Sequence, residues 1–162
     1  MDLEKEILRL LAEDGRLTAA DIAERLNISA AAAARCVAKL ESDGVIVGYR
    51  AMFDETLLPE NAVKAIIEVK LKPERDGGFD RIAKKISKFS KVESVYLVSG
   101  GSDLVLEVKG EDLKDVAEFV AEKLSIIDGV VSTSTHFLLK KYKELGKMMQ
   151  DDEYKERLSV TP

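Results

Sequence analysis

Between residues 62 and 139 the spacing of apolar side chains changes in a fixed order, and this order constrains the fold more than any other feature. Apolar and polar residues alternate over 62–71 and 103–109, and we interpret 92–98 and 130–139 as two further strands, which gives four. Over 79–89 and 113–124 the apolar residues recur every three to four positions, which predicts two amphipathic helices. The order βαββαβ indicates a ferredoxin-like domain with both helices on one face of an antiparallel sheet. The other face needs a cover or a partner.

The N-terminal part of the chain predicts three short helices. Leucine and isoleucine recur at helical spacing over 3–11, and Thr18 is a natural N-cap for a second helix, with Asp21 three residues later. Ser29 caps a third helix over about 30–42, and a tight turn precedes it. This arrangement is typical of a helix-turn-helix. The predicted apolar face of the third helix comprises Ala33, Ala34, Val37 and Leu40.

The predicted fold class is α+β, a (winged) helix-turn-helix followed by a ferredoxin-like domain. We expect residues 1–50 to form the helix-turn-helix domain and residues 51–61 a β-strand linker, because 45–53 is rich in β-prone residues. Residues 62–140 then form the ferredoxin-like domain. Residues 141–162 are charged and predict a partly ordered C-terminal tail.

Composition narrows the function classes. The chain has 162 residues, 46% hydrophobic, a single cysteine (Cys36) and a net charge of −5. One cysteine excludes an intramolecular disulfide and a multi-cysteine zinc site. The acidic first residues do not resemble a signal peptide, and no stretch reaches the roughly 18 apolar residues of a membrane span. We therefore expect a cytoplasmic protein that does not bind membranes. Because its net charge is negative, any DNA-binding surface must be a local cluster of positive charge.

Several strings resemble the leucine-responsive and asparagine-type (Lrp/AsnC, feast/famine) transcription regulators of bacteria and archaea, over about residues 2–140. The most specific is Leu40-Glu41 followed by Gly44-Val45-Ile46 and Gly48-Tyr49-Arg50-Ala51. The resemblance implies a regulator of double-stranded DNA that responds to an amino acid or related metabolite bound at subunit interfaces. It also implies homodimers that assemble into higher even oligomers. We expect no cofactor.

In a helix-turn-helix the start of the third helix enters the major groove. Residues 30–34 are all alanine, which offers no hydrogen-bond donor to bases, so we expect modest sequence specificity. Residues 1–50 carry seven Lys or Arg against nine Asp or Glu, a net of −2, which weakens the case for DNA binding. The predicted DNA-binding residues are Arg16, Ser29, Ala30, Ala31, Arg35, Lys39 and Arg50.

The resemblance places the effector at the hairpin between the second and third strands and at a Ser-Thr run on the last strand. Hydroxyls and amides suit a ligand carboxylate, and an acid such as Asp103 suits its ammonium group. The predicted effector-binding residues are Gly100, Gly101, Ser102, Asp103, Ser132, Thr133, Ser134 and Thr135. A purely structural role stays open for each: a tight turn, a solvated carboxylate at a strand start, and ordinary strand surface.

Two other function classes compete. One is a small-molecule-binding assembly protein with weak or no sequence-specific DNA binding, which the alanine run favours. The other is an enzyme resembling the sirohaem decarboxylases, against which the single histidine, His136, and the absence of tryptophan argue. The sequence shows no phosphate loop, nucleophile elbow or metal-binding cluster, so we expect no catalysis and no metal. The basic stretch from Arg81 to Lys88 is interpreted as a solvated helix face.

Overall fold

The computed structural model describes residues 2–53, 62–73 and 78–149, and the chain divides into two compact units, Met1–Phe53 and Asp54–Pro162. The described residues of the first unit form three helices: α1, Leu3–Glu13; α2, Ala19–Leu26; and α3, Ala30–Ser42. Their buried core consists of Ile7, Ile22, Ala23, Ala33 and Leu40.

Local hydrogen bonds begin the second and third helices where the sequence predicts. The Thr18 backbone N–H donates to the Asp21 carboxylate at 2.7 Å, and the Asp21 N–H donates to the Thr18 hydroxyl at 3.2 Å, which completes a capping box. Before α3, Asn27 adopts the left-handed conformation (φ 52°) that a short polar residue tolerates. The Ser29 hydroxyl then accepts the Ala32 N–H at 3.2 Å. The predicted turn and both caps are confirmed.

Two details of this unit differ from the prediction. Ala34 is exposed, whereas Cys36 packs against the core, because each helical residue turns by about 100° and the buried side of α3 centres on Ala33 and Leu40. The β-prone stretch is not a strand over 45–53, since no described strand pairs with it and an isolated strand leaves its backbone groups unpaired. The rest of the predicted β-strand linker, 54–61, lies outside the described residues.

The described residues of the second unit follow the predicted order βαββαβ. The elements are β1, Val63–Leu71; α4, Gly78–Ile86; β2, Val92–Leu97; β3, Leu104–Gly110; α5, Leu113–Phe119, continued by a wider π-type turn over Val120–Leu124; and β4, Val130–Phe137. The four strands pair antiparallel in the order β2-β3-β1-β4. Ferredoxin-like topology is therefore confirmed.

One face of this sheet carries the core of the unit. Alternate residues of β1 and β3 are buried against α4 and α5, through side chains such as Ile67, Leu106, Ile82 and Val116. The opposite face of the sheet is not covered by a described helix of this unit. Beyond β4, a short hairpin pairs β5, Lys143–Glu144, with β6, Lys147–Met148, and residues 150–162 lie outside the described residues. None of the described helices is long and apolar enough to cross a membrane.

Candidate DNA-binding surface and ligand site

The solvent-facing side of α3 carries mostly small, weakly polar side chains. It consists of exposed residues spaced three, four and seven positions apart: Ala31, Ala34, Arg35, Ala38 and Ser42. The buried Ala33 and Leu40 lie on the opposite side of the helix. Arg35 supplies a positive charge on this face. The alanine methyl groups can contact thymine methyls but cannot form hydrogen bonds with guanine.

Lys39 is directed toward α1. Its ammonium group donates to Glu4 at 2.6 Å and lies 3.8 Å from Asp43. The hydrogen bond to Glu4, followed by the charge of the same carboxylate, raises the pKa of Lys39. From the sequence we predicted that Lys39 faces DNA, and the structure shows that two acids within its own unit already neutralise it.

All seven predicted DNA-binding residues are exposed, and the structure assigns local roles to some of them. Ser29 caps α3 and retains a hydroxyl proton to donate. Arg16 follows α1, and its backbone N–H donates to Asp14 at 2.9 Å. Arg50 lies in the non-helical segment after α3, beside Tyr49, whose hydroxyl donates to Glu41 at 3.1 Å. Partial desolvation raises the pKa of Tyr49, and the bond to Glu41 adds to the effect.

The hairpin between β2 and β3 is held by Asp103. Its carboxylate accepts the Leu71 N–H at 2.7 Å, its own N–H donates to Val69 at 3.0 Å, and its carbonyl accepts the Val98 N–H at 3.0 Å. These bonds join three strands at one end of the sheet. Gly100 has a φ of +143°, which favours glycine. The structural role left open for Asp103 and Gly100 is therefore present.

The register of β4 against β1 separates the Ser-Thr run into two sides. Thr133 and Thr135 pair with Val69 and Ile67, which are buried in the core, so both threonines lie on the helix-covered side. Ser132 and Ser134 alternate with them and lie on the open face. Of the four predicted effector residues on this strand, the open face therefore carries only the two serines.

On that face, residues distant in sequence meet around Glu68 of β1. The Ser102 hydroxyl of the hairpin donates to Glu68 Oε2 at 2.7 Å. On the other side, His136 Nε2 lies 3.8 Å from Glu68 Oε1 and 3.2 Å from the Ser134 hydroxyl. We call Ser102, Glu68, Ser134 and His136 the Glu68 cluster. It joins the two predicted effector segments through a carboxylate between them.

Glu68 was not among the site residues predicted from the sequence. Its polar position in the alternating pattern of β1 indicated a solvent-facing side chain, but the pattern did not reveal which strands flank it. Lys70, two residues later on the same face, donates to the Gly101 carbonyl at 3.0 Å and holds the hairpin beside β1.

A concave region lies at the start of α5, apart from the predicted site residues. A cavity of about 780 Å³ is lined by Ala62, Lys91, Lys109, Gly110, Glu111, Asp112 and Asp115. Asp115 is bonded to Lys91 and accepts the Glu111 N–H at 2.9 Å, and these bonds lower the pKa of Asp115. Over 2–53, 62–73 and 78–149, no group of histidine, cysteine, aspartate and glutamate is arranged to hold a metal.

Comparisons with known proteins match both units. The family model described as "Lrp/AsnC ligand binding domain" matches residues 64–148, and the one described as "Winged helix-turn-helix DNA-binding" matches residues 2–47. An uncharacterized HTH-type transcriptional regulator of Bacillus subtilis is 43% identical over 160 residues, covering 98% of this chain and 96% of its own length. The leucine-responsive regulatory protein of Rhizobium meliloti is 35% identical over 142 residues, covering 88% and 90%.

A solved structure adds the same likeness in three dimensions. The crystal structure of a transcriptional regulator in complex with L-Met, from Neisseria meningitidis, matches with a TM-score of 0.66 at 26% identity. The match covers 89% of this chain and 92% of that chain.

Proposed function

The chain belongs to the Lrp/AsnC family of transcriptional regulators, and on this premise we propose that it binds operator DNA through α3 and responds to an amino acid or a closely related metabolite. Family membership makes it a transcriptional regulator with a helix-turn-helix and a ligand-binding domain.

For the DNA surface, the proposed residues are Arg16, Ser29, Ala30, Ala31, Arg35, Lys39 and Arg50. The N-terminal turn of α3 presents the Ser29 hydroxyl and two alanine methyl groups, which favour thymine contacts and phosphate hydrogen bonds. Arg35 contributes the charge in the middle of the helix. Lys39 contributes less than Arg35, because reaching a phosphate would separate it from Glu4.

For the effector, the observation that carries the proposal is the meeting of Ser102 and Ser134 around Glu68. A ligand with an ammonium and a carboxylate group requires an acid beside hydroxyl or amide donors, and the Glu68 cluster provides both on the open face of the sheet. The hairpin residues Gly100, Gly101 and Asp103 support it, and Ser132 extends it. The relative from Neisseria meningitidis was crystallised with L-Met, which agrees with an amino-acid ligand.

We also propose homodimers that assemble into higher even oligomers. The open face carries apolar side chains, Ile66, Val105 and Tyr96, between its polar ones, and an identical face on a second copy would cover them isologously. A regulator of this kind acts in the cytoplasm on chromosomal DNA and carries out no catalysis. It requires no cofactor.

The experiment that tests the proposal is a selection of random-sequence DNA on the full-length protein at near-physiological salt, with and without a pool of the twenty amino acids. We expect enrichment of a palindromic site and a change of affinity with the pool. Calorimetry with single amino acids then identifies the effector. Failure to enrich any site would contradict the DNA-binding part, whereas enrichment that no amino acid alters would contradict the effector part.

A second candidate is an assembly protein that binds a small molecule but reads little DNA sequence. The exposed alanine face of α3 and the net charge of −2 over residues 1–50 favour it. The same selection separates the two, since this candidate predicts ligand binding by calorimetry without an enriched site.

A further inference from the structure

A basic helix face in the ligand-binding unit has no role in the proposed function. Lys84, Lys85 and Lys88 lie on α4 and the turn that follows it, and all three are exposed. Ile82 and Ile86 of the same helix are buried in the core. The helical period therefore directs the three ammonium groups into solvent within about two turns.

Among the described residues these three lysines have no acidic partner, unlike several other lysines of the chain. In the part of the chain that the structure describes, no carboxylate forms an ion pair with Lys84, Lys85 or Lys88. Elsewhere an acid pairs with Lys5, Lys39, Lys91, Lys114 and Lys141. Cations near the C-terminal end of a helix stabilise it. Three adjacent lysines without acidic partners also concentrate positive charge on a protein whose net charge is −5.

The helix-turn-helix unit is net acidic, as is the rest of the chain. Its first fifty residues have a net charge of −2, and Lys39 on α3 is already paired with Glu4. Contacts between basic side chains and phosphates supply much of the affinity of a protein for DNA. The unit that carries α3 is therefore short of the charge that a stable DNA complex requires.

Building on the proposed function, we propose that the Lys84, Lys85 and Lys88 face is a second DNA contact, which binds phosphates of the duplex outside the bases that α3 reads. Residues three and four apart lie about 5–6 Å from each other on a helix surface, so their flexible side chains can reach neighbouring phosphates. DNA is favoured over an acidic protein because the same chain already binds DNA. Once α3 is bound, the flanking duplex is present at high effective concentration.

The test measures the affinity of the full-length protein for its selected site as a function of salt, between about 50 and 200 mM. The variant K84Q/K85Q/K88Q removes the three charges and retains helix-forming residues. The control K114Q/K123Q/K147Q removes three exposed lysines from other elements, so its net charge is the same. Circular dichroism and thermal unfolding establish that both are folded.

We expect the slope of log affinity against log salt to decrease in magnitude by about 2 to 3 in K84Q/K85Q/K88Q, at about 0.9 for each phosphate that the variant no longer neutralises. The control should keep the wild-type slope, and the preferred sequence should be the same in all three proteins. On DNA cut back to the core site, the variant and the wild type should bind alike, because the flanking phosphates are gone.

Equal slopes in the variant and the wild type would overturn the inference. The face would then be an ordinary solvated surface or a site for an acidic protein partner. An equal decrease in the variant and the control would also overturn it, since net charge alone would then explain the effect. In both cases the wild type still binds its site, so the proposed function stands. If the wild type binds no DNA, both fail together.

Discussion

The ammonium group of Lys39 on α3 donates to the Glu4 carboxylate of α1 across 2.6 Å, although the two residues are 35 positions apart. Both side chains are largely exposed, so solvent screens the pair and it adds little to stability. The pair does, however, fix the direction of the Lys39 side chain. Lys39 is held toward α1, whereas Arg35, one turn earlier on α3, has its guanidinium group on the exposed alanine face.

This difference predicts unequal contributions to DNA binding. Arg35→Ala should reduce the salt slope of DNA affinity by about 0.9, the value of one phosphate contact, and Lys39→Ala should reduce it by less. Replacing both should lower affinity and flatten the slope further. The measurement is a salt titration of binding to the selected site. An unchanged slope in the double variant would remove both residues from the DNA interface.

The Glu68 cluster predicts the response to ligand. Glu68→Gln should weaken binding of the cognate amino acid by about tenfold, because it removes a charged acceptor for the ligand ammonium group. Glu107→Gln is a matched control, since Glu107 also accepts from a serine, Ser94, at 2.7 Å on the same face. Calorimetry on both variants is the measurement. Equal losses of affinity in the two would rule out a specific role for Glu68.

Two substitutions at Asp103 separate its structural role from the role of its charge. Asp103→Ala leaves the Leu71 N–H without its acceptor and should lower the free energy of unfolding by about 1–2 kcal/mol. Asp103→Asn keeps an acceptor oxygen and should cost less. Denaturant titration checks the order of the three proteins. If Asp103→Asn keeps stability but loses ligand binding, the carboxylate charge contacts the effector directly; if it keeps both, the role is structural.

Gly110 at the end of β3 has no room for a side chain. A Cβ there would lie 2.6 Å from Cγ2 of Val116 and 3.0 Å from Oδ2 of Asp115. Gly110→Ala should therefore lower the free energy of unfolding by about 1–3 kcal/mol through overpacking. Gly101→Ala is the control, because no atom lies within 4 Å of its Cβ. The measurement is thermal unfolding of both variants. Equal melting temperatures would disprove the overpacking argument.

The ion pair between Asp115 and Lys91 predicts a contribution to stability at ordinary pH. The bond from Lys91 lowers the pKa of Asp115 in the folded state below its unfolded value of about 3.9. Between the two values the unfolded chain binds more protons, so stability rises with pH through this window and is lost as pH falls through the folded pKa. The stability difference between wild type and Asp115→Asn should thus be largest above about pH 4 and shrink toward acid. A difference that does not change with pH, measured by urea unfolding at several pH values, would refute this.

Much of this fold could be predicted from the sequence because the interactions that decide it are local. The capping residues Thr18 and Ser29 bond to backbone groups within three positions, and the alternation of β1 fixes which of its side chains are apolar. The family resemblance also depended on short strings of adjacent residues. The β-prone segment over 45–53 pairs with no described strand of its own chain, because a strand requires a partner strand and β propensity alone supplies none.

The sequence by itself determined the element types, the caps, the ferredoxin-like order and the two groups of polar residues from which the candidate site is drawn. Only the tertiary structure decided which of those residues meet. The order β2-β3-β1-β4 places β1 between the hairpin strand and the last strand, so Glu68 lies beside both Ser102 and His136. The packing of α1 against α3 likewise turned Lys39 toward Glu4. Period and propensity depend on neighbours along the chain, whereas these contacts join residues more than thirty positions apart, whose proximity depends on strand order and helix packing.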